Sequence, residues 1–232
     1  MRKLKRILCG LCMLLLILSV GQMNSHIQIN AKSITYTIKT KKVEYKDENG
    51  KVSGVISYEY PQLKGNTKVI KKINKKIRKQ RDAFFTSKKA KSLKLYLANK
   101  NKYWQNQQYF YERVCKVRYS KGNIFSFTEA ETFFAGFSSH TYYYGYNYNS
   151  KTGKTLTYKN AISGNARKKV IKATKKMLKK EAIDYNRGCK ELKAKKYFEF
   201  YISPGKVYIC YQPFEIGRCG QPGMVAVKGK YK

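Results

Sequence analysis

The feature that most constrains this fold is a change of hydrophobic period near Asn66. Before it, the stretches from Ile34 to Thr40 and from Gly54 to Tyr60 alternate apolar with polar residues. Because side chains two positions apart share one face of a strand, both stretches predict half-buried β-strands. Asn49-Gly50 lies between them, and both residues tolerate a positive φ, so a first β-hairpin is expected.

After Asn66, apolar residues recur three, four and seven positions apart, at Val69, Ile70, Ile73, Ile77 and Phe84. This spacing predicts an amphipathic helix, and Asn66 is a suitable N-cap. Fifteen basic residues and one acid lie between Lys64 and Lys102, so the outer faces are cationic. A second such helix is predicted around Val170 to Leu178, and Ser87 to Gln108 fits either a helix or a loop.

The remaining segments alternate with turn residues between them. Strands are predicted at Tyr109–Tyr119, Ile124–Phe134, Thr141–Tyr148, Thr155–Tyr158, Lys196–Ile202, Val207–Tyr211 and Met224–Lys228. The sum is an α+β protein, with antiparallel sheets built from hairpins and an amphipathic Lys-rich helix packed on each of two halves.

The N-terminus has a basic start and an apolar run from Ile7 to Val20. Such a run is typical of a secretory signal peptide and is short for a membrane span. We therefore predict a signal peptide over residues 1–31, an N-terminal hairpin–helix half over 32–105 and a C-terminal half over 106–232. An uncleaved signal segment is the alternative, and it is the expected route to any membrane contact.

Four cysteines follow the predicted signal peptide. In an exported chain an even number favours up to two disulfides, in any of three pairings, among Cys115, Cys189, Cys210 and Cys219. Zinc is the competing interpretation, but the short Cys-x-x-Cys spacing of zinc sites is missing after the signal peptide. No metal or other cofactor is expected.

Catalytic motifs are scarce. His140 is the single histidine after residue 31, without a Gly-x-Ser-x-Gly segment to accompany it, and its expected role is hydrogen bonding at a strand end. Glu129 and Glu131 share one strand face, which suits either a glycosidase-type carboxylate pair or partnership with lysines. Glu215 is a further acid, either catalytic or turn-stabilising. We expect no enzyme activity, with a carbohydrate-active hydrolase as the alternative.

Tyrosines form the most distinctive row in the chain. Tyr142, Tyr144, Tyr146 and Tyr148 share one face of a predicted strand, where they either contact a ligand or form the side of a sheet core. The formal net charge of +37 points to an anionic partner. Export argues against nucleic acid and favours anionic cell-wall polymers.

Several segments together resemble a known extracytoplasmic module. They are Ile56–Gln62, the helix segment Ile70–Ile77, Tyr142–Lys154 and Tyr211–Gly217. Their order and spacing are similar to the extracellular C-terminal module of the RsiV anti-sigma factor, which also accompanies the deacetylase domain of PdaC-type proteins. The resemblance covers about Ile34 to Lys228.

The resemblance implies an extracytoplasmic binding module of largely unknown function. Deacetylase chemistry is not carried over, because in PdaC-type proteins it belongs to another domain. A sigma factor is not an expected partner, because Met1 to Arg6 is too short to hold one. Lysozyme binding is implied by RsiV, but this chain departs from the family's turn after Ile216, and its positive charge opposes a basic lysozyme.

We therefore predict a non-enzymatic, extracellular or cell-wall-associated module that binds envelope polymers or an extracellular protein. An inhibitor or sensor-like binder of a lysozyme-type muramidase is the alternative within the binding class. The candidate ligand-binding residues are Tyr142, Tyr144, Tyr146, Phe214, Glu215, Ile216 and Arg218.

Overall fold

The computed structural model describes residues 33–47, 49–98, 108–136, 139–218 and 220–232. The predicted first hairpin is confirmed as β1 (Tyr36–Lys46) and β2 (Val52–Leu63), which pair antiparallel. The Asp47 carboxylate accepts hydrogen bonds from the backbone N–H groups of Asn49 and Lys51, at 3.0 and 2.9 Å. The predicted signal peptide lies outside the described residues.

The predicted amphipathic helix is α1 (Lys68–Phe85), and α2 (Lys88–Ala98) follows it. Thr67, rather than the expected Asn66, caps α1, because its hydroxyl accepts from the Ile70 N–H at 3.2 Å. Ile73, Ile77 and Phe84 form the buried stripe. Full burial of side chains of this size contributes about 1.5–3 kcal/mol each, so packing on the sheet holds this cationic helix in place.

Five strands form the large sheet in the order β1-β2-β3-β4-β5, where β3 is Tyr109–Lys121, β4 is Ile124–Phe134 and β5 is Thr141–Asn149. The sheet is antiparallel except where β2 and β3 pair in parallel. A parallel pair needs a crossover connection, and α1 and α2 belong to it. The predicted boundary at residue 105 falls in this crossover, so the two predicted halves share one sheet.

The C-terminal part builds a smaller sheet with its own helices. It contains α3 (Tyr158–Ala161), α4 (Ala166–Glu181), α5 (Tyr185–Ala194), β6 (Glu199–Ser203), β7 (Lys206–Tyr211) and β8 (Gly223–Lys228). The predicted strand Thr155–Tyr158 is wrong. Thr155 makes a single bridge to Tyr148, and Thr157 hydrogen-bonds with Asn160 to start the short helix α3.

A buried polar joint connects the two sheets. The Asn147 side chain donates to the carbonyl of Phe200 at 2.8 Å and accepts from the Ser126 hydroxyl at 2.7 Å. Ser126 in turn accepts from the Ile202 N–H at 2.9 Å. At Gly145 a Cβ atom would stand 1.8 Å from the Phe200 oxygen, so the approach of β5 to β6 requires glycine.

The fold prediction is confirmed: this is an α+β protein with a Lys-rich helix on each sheet. Val170, Thr174 and Leu178 of α4 are buried against the small sheet, as α1 is against the large one. Among the described residues, no helix is both long and apolar enough to cross a bilayer.

Candidate functional site

A buried ion-pair network lies on the side of the large sheet that faces α1 and α2. Glu129 and Glu131 share that face, as predicted, and are 0% and 2% exposed. Arg113 joins them: its Nη1 donates to Glu129 Oε2 at 3.0 Å and its Nε to Glu131 Oε2 at 2.7 Å. The Tyr58 hydroxyl and the Lys89 ammonium donate to the two remaining oxygens, each at 2.5 Å. Every carboxylate oxygen of the pair therefore accepts a hydrogen bond.

The pKa values of the two carboxylates are shifted in opposite directions. Burial raises the pKa of Glu129, and the charge of Arg113 with the Tyr58 hydrogen bond offsets this only in part. Burial acts in the same sense on Glu131, but the hydrogen bond from Lys89 and the charge of Arg113 outweigh it and lower the pKa. The site thus favours a charged Glu131 and penalises a charged Glu129.

This arrangement differs from the solvated strand face that the Glu129–Glu131 spacing also permits. Lys89 does partner Glu131, as the lysine-rich composition suggested. A glycosidase pair flanks a substrate-sized space of about 5–10 Å. Here the space between the two carboxylates is filled by the Arg113 side chain, which is bound to both.

The tyrosine row of β5 extends this network toward the sheet edge. Tyr142, Tyr144 and Tyr146 are half-buried, and their rings are already in contact with protein groups. Lys89 Nζ lies 4.6 Å from the centre of the Tyr142 ring, and the Arg113 guanidinium lies 4.6 Å from that of Tyr144. The rings therefore form the side of a sheet core, with part of their surface still open.

An open groove of about 600 Å³ runs beside this row. Its lining includes Lys76, Lys79 and Gln80 of α1, Tyr146 and Tyr148 of β5, and Phe198 and Glu199 at the start of β6. Its volume falls within the range of small-ligand sites, about 300–1,000 Å³. Two lysines, one glutamate and the half-buried ring of Tyr146 share this lining, whereas Tyr148 and Phe198 are buried at its wall, with 2% and 5% of their surface exposed.

Hydrogen bonds to the backbone and burial determine the state of the polar groups in the groove. Lys76 donates to the carbonyl of Gly153 at 3.2 Å and lies 5.8 Å from the Tyr148 ring centre, so one wall is fixed. Glu199 accepts from the Gly145 N–H at 2.7 Å, and burial raises its pKa. Burial likewise raises the pKa of Tyr148 to about 12.

Side chains also close the outer edge of β5. The Gln212 amide donates to the Tyr143 carbonyl at 2.5 Å and accepts from the Tyr143 N–H at 2.9 Å. With Glu199 at the Gly145 N–H, these groups satisfy backbone that a neighbouring strand would otherwise pair.

The segment from Phe214 to Arg218 is a braced surface loop with a 3₁₀ turn at Glu215–Gly217. Phe214 is 55% exposed and has a φ of 65°, and Ile216 has a φ of 53° with its side chain 2% exposed in the core. Positive φ is costly for non-glycine residues, above all for β-branched ones. Glu215 pairs with Lys195 at 2.5 Å, and Arg218 pairs with Glu181.

The loop candidates thus have different environments. Phe214 alone among them presents a large exposed apolar surface, and its ring meets the His140 ring edge-on at 5.1 Å. His140 Nδ1 lies 3.2 Å from the Gly220 carbonyl oxygen, the hydrogen-bonding role expected of it. Ile216 packs in the core, and Glu215 and Arg218 are engaged in ion pairs.

The predicted disulfides are not found among the described cysteines. Cys115, Cys189 and Cys210 are free thiols, and Cys219 lies outside the described residues. Cys115 belongs to the core under the large sheet, whereas Cys210 lies on β7 in the small one. Burial raises the pKa of Cys210 to about 12. In the described part of the chain, no cluster of three or more Cys, His, Asp or Glu residues is suited to a metal ion.

Sequence reasoning missed Arg113 and the groove. Arg113 occupies one of several basic positions on a predicted strand, and nothing local distinguishes it. Lys76 and Lys79 belong to the predicted cationic face of α1, but their meeting with Phe198 and Glu199 joins residues more than a hundred positions apart. The sequence shows that these lysines make one helix face cationic, but it does not show which residues that face contacts.

The fold and these features define an α+β module with a closed ion-pair network, an open aromatic groove and a braced loop. A family model described as Deacetylase PdaC matches residues 45–138. The match covers β2, α1, α2, β3 and β4, and so includes the whole ion-pair network. No curated protein matches the chain significantly.

Two solved structures share the fold. A DUF3298-family protein from Bacteroides fragilis matches with a TM-score of 0.51 and 12% identity, over 84% of this chain and 91% of its own. A DUF3298-family protein from Pseudomonas aeruginosa matches with a TM-score of 0.54 and 9% identity, over 85% and 92%. The expected resemblance to a PdaC- and RsiV-like module of unknown function is thereby confirmed.

Proposed function

We propose that this chain is a non-enzymatic, exported binding module whose groove holds a sugar-containing, acidic polymer of the bacterial envelope. The observation that carries the proposal is the joint lining of the groove by Lys76, Lys79 and the half-buried ring of Tyr146. Aromatic rings contact the apolar faces of sugars, and ammonium groups pair with phosphate or carboxylate substituents.

The single carboxylate of the groove fits the same ligand. Glu199 has one oxygen bound to the Gly145 N–H, so the other is available to accept from a sugar hydroxyl. The carboxylates of the network around Arg113 are saturated, and the network meets the groove at Tyr146, whose hydroxyl accepts from Arg113 Nη1 at 3.3 Å.

The net charge of +37 supports an envelope partner. A cationic surface attracts a polyanion over about 10 Å at 0.1 M salt, and short-range contacts in the groove would then hold it. Extracellular or cell-wall location is part of the proposal, and it rests on the predicted signal peptide.

Retention on purified cell walls at low and high salt tests the wall-binding part. We expect binding at low salt that weakens as salt rises; no retention at low salt would overturn it. To locate the site, Lys76→Gln with Lys79→Gln should weaken binding of a soluble wall polymer about tenfold.

The matched control is Lys172→Gln with Lys176→Gln, which removes the same charge from exposed positions on α4. We expect the control to lose no more than about twofold, since exposed charges away from a site contribute little. Equal losses in the two variants would place the binding in general surface charge and contradict the groove.

A second candidate function is binding of an extracellular protein such as a lysozyme-type muramidase. The observation that favours it is the exposed Phe214 ring on a loop braced by Glu215 and Arg218. Binding to a panel of muramidases, acidic ones included, tests it. Phe214→Asn removes the ring while tolerating the positive φ, and it should abolish such binding without affecting wall retention.

A further inference from the structure

A second concavity, of about 550 Å³, lies between β1, the end of β2 and α1. It uses Lys71, Asn74 and Arg78 of α1, whereas the groove uses Lys76, Lys79 and Gln80. With 3.6 residues per turn, these two sets fall on opposite sides of the helix. The two cavities are therefore separate sites with one helix between them.

Four cationic side chains line this pocket, from three different segments: Lys39 on β1, Lys64 after β2, and Lys71 and Arg78 on α1. No aspartate or glutamate is among the lining residues. Within the described ranges, none of the four side chains forms a hydrogen bond or ion pair, whereas Lys89 and Lys195 are both paired. Their charge is thus unneutralised by the protein.

The floor of the pocket is fixed by Asn74, which is 8% exposed. Its amide donates to the Leu63 carbonyl at 2.9 Å, and its oxygen accepts from the Leu63 N–H at 3.0 Å. This side chain clamps the end of β2 to α1. Gly65 follows with a φ of +124°, a conformation that turns the chain at the pocket rim.

We propose that this pocket binds a phosphate group, free or as part of a larger molecule. Four cationic residues that line one pocket suit a ligand with more than one negative charge in a small volume. The Arg78 guanidinium offers a planar fork that matches two phosphate oxygens, and the lysines add point charges around it. Thr37 and Gln62 line the same pocket and supply neutral hydrogen-bond donors.

The test is calorimetric titration of the full chain with pyrophosphate, together with amide chemical shifts by NMR. We expect saturable binding with shifts concentrated at Gln62, Gly65 and the Asn74 side chain. Lys71→Gln with Arg78→Gln should weaken the affinity about tenfold or more, because charge-assisted hydrogen bonds are lost.

Lys68→Gln with Lys75→Gln is the matched control on the same helix, since both lysines are exposed and line neither cavity. We expect it to change the affinity by less than about twofold. Circular dichroism confirms that both variants fold. Equal losses in the two variants, or shifts scattered over the lysine-rich helices, would overturn the proposal.

Competition identifies the source of the phosphate. If polyglycerol phosphate displaces pyrophosphate, the ligand of the pocket is a polymer phosphodiester. If pyrophosphate binds and polyglycerol phosphate does not displace it, the ligand is a free phosphate or a phosphomonoester. If neither compound binds, the proposal is overturned. The groove variants at Lys76 and Lys79 leave this pocket intact, so the result is independent of the proposed function.

Discussion

Arg113 on β3 and Glu131 on β4 lie directly opposite each other, and the guanidinium holds the carboxylate through Nε at 2.7 Å and Nη2 at 2.5 Å from Oε2. This pairing depends on a bulge between Val117 and Tyr119. Without the bulge, β3 and β4 would keep the register that the Gly122-Asn123 turn sets, and Arg113 would lie opposite Thr132. The extra residue moves Arg113 one position and onto the face that carries Glu131.

Removing the cation should destabilise the fold. Arg113→Met leaves two buried carboxylates without their shared partner, and we expect the free energy of unfolding to fall by about 3–5 kcal/mol. Urea unfolding measures this. Arg78→Met removes an exposed arginine and should stay within about 0.5 kcal/mol. A similar small change in both would show that the network adds little.

The two glutamates should respond differently to neutral replacement. The lowered pKa of Glu131 means that its charge stabilises the fold above its unfolded pKa, and that this contribution is lost as pH falls through the folded value. The raised pKa of Glu129 means that its negative charge destabilises the fold. At pH 7 we expect Glu131→Gln to cost about 1–3 kcal/mol more than Glu129→Gln.

Urea unfolding at pH 7 and at about pH 4, the range of the unfolded carboxyl pKa, checks this expectation. The cost of Glu131→Gln should shrink on acidification. A cost that grows in acid, or equal costs at neutral pH, would contradict the assignment of charge to Glu131.

Gly145 should be intolerant of any side chain. In Gly145→Ala the new Cβ meets the Phe200 oxygen, so β5 and β6 must separate, with an expected cost of about 3 kcal/mol or more. Gly122→Ala is the comparison: it has a φ of +62° and open space, so only backbone strain of about 1–2 kcal/mol is expected. Thermal unfolding of both variants tests the order.

The buried thiols should resist modification in the folded protein. Burial raises the pKa of Cys115 and of Cys210, so at pH 8 neither forms an appreciable thiolate. We expect iodoacetamide to label both cysteines only after denaturation, as read by peptide mass spectrometry. A disulfide found at either position, or rapid labelling of the native chain, would contradict the structure.

The local elements could be predicted from the sequence because their causes are local. Asn49-Gly50 turns the first hairpin, and the spacing of Ile73, Ile77 and Phe84 defines α1. Even the common face of Glu129 and Glu131 follows from the period of a strand. The predicted strand at Thr155–Tyr158 is wrong because its strand-like pattern competes with a capping interaction, the Thr157–Asn160 hydrogen bonds.

The site could not be predicted, because it depends on long-range register. The bulge beside Val117 decides which face Arg113 occupies, and it leaves no recognisable mark in the residues around it. The number of cysteines and the predicted export favour disulfides, whereas actual pairing depends on the distance between the two sheets. The groove joins α1 to the start of β6, and this placement depends on the long-range hydrogen bonds of Gly145 and Asn147 with Glu199 and Phe200.

The Gln212 side chain that closes the outer edge of β5 also bears on self-association. A sheet polymerises by adding backbone at an open edge, and between Tyr143 and Gly145 that edge is already taken. The opposite edge of the five-stranded sheet is β1, where Lys39, Lys41 and other lysines are exposed. A second copy approaching there would bring the same cations against them, which disfavours templated growth. One edge of the sheet is thus covered by side chains, and the other carries lysines that would repel the lysines of a second copy. The chain can therefore remain unassociated while its aromatic groove stays open.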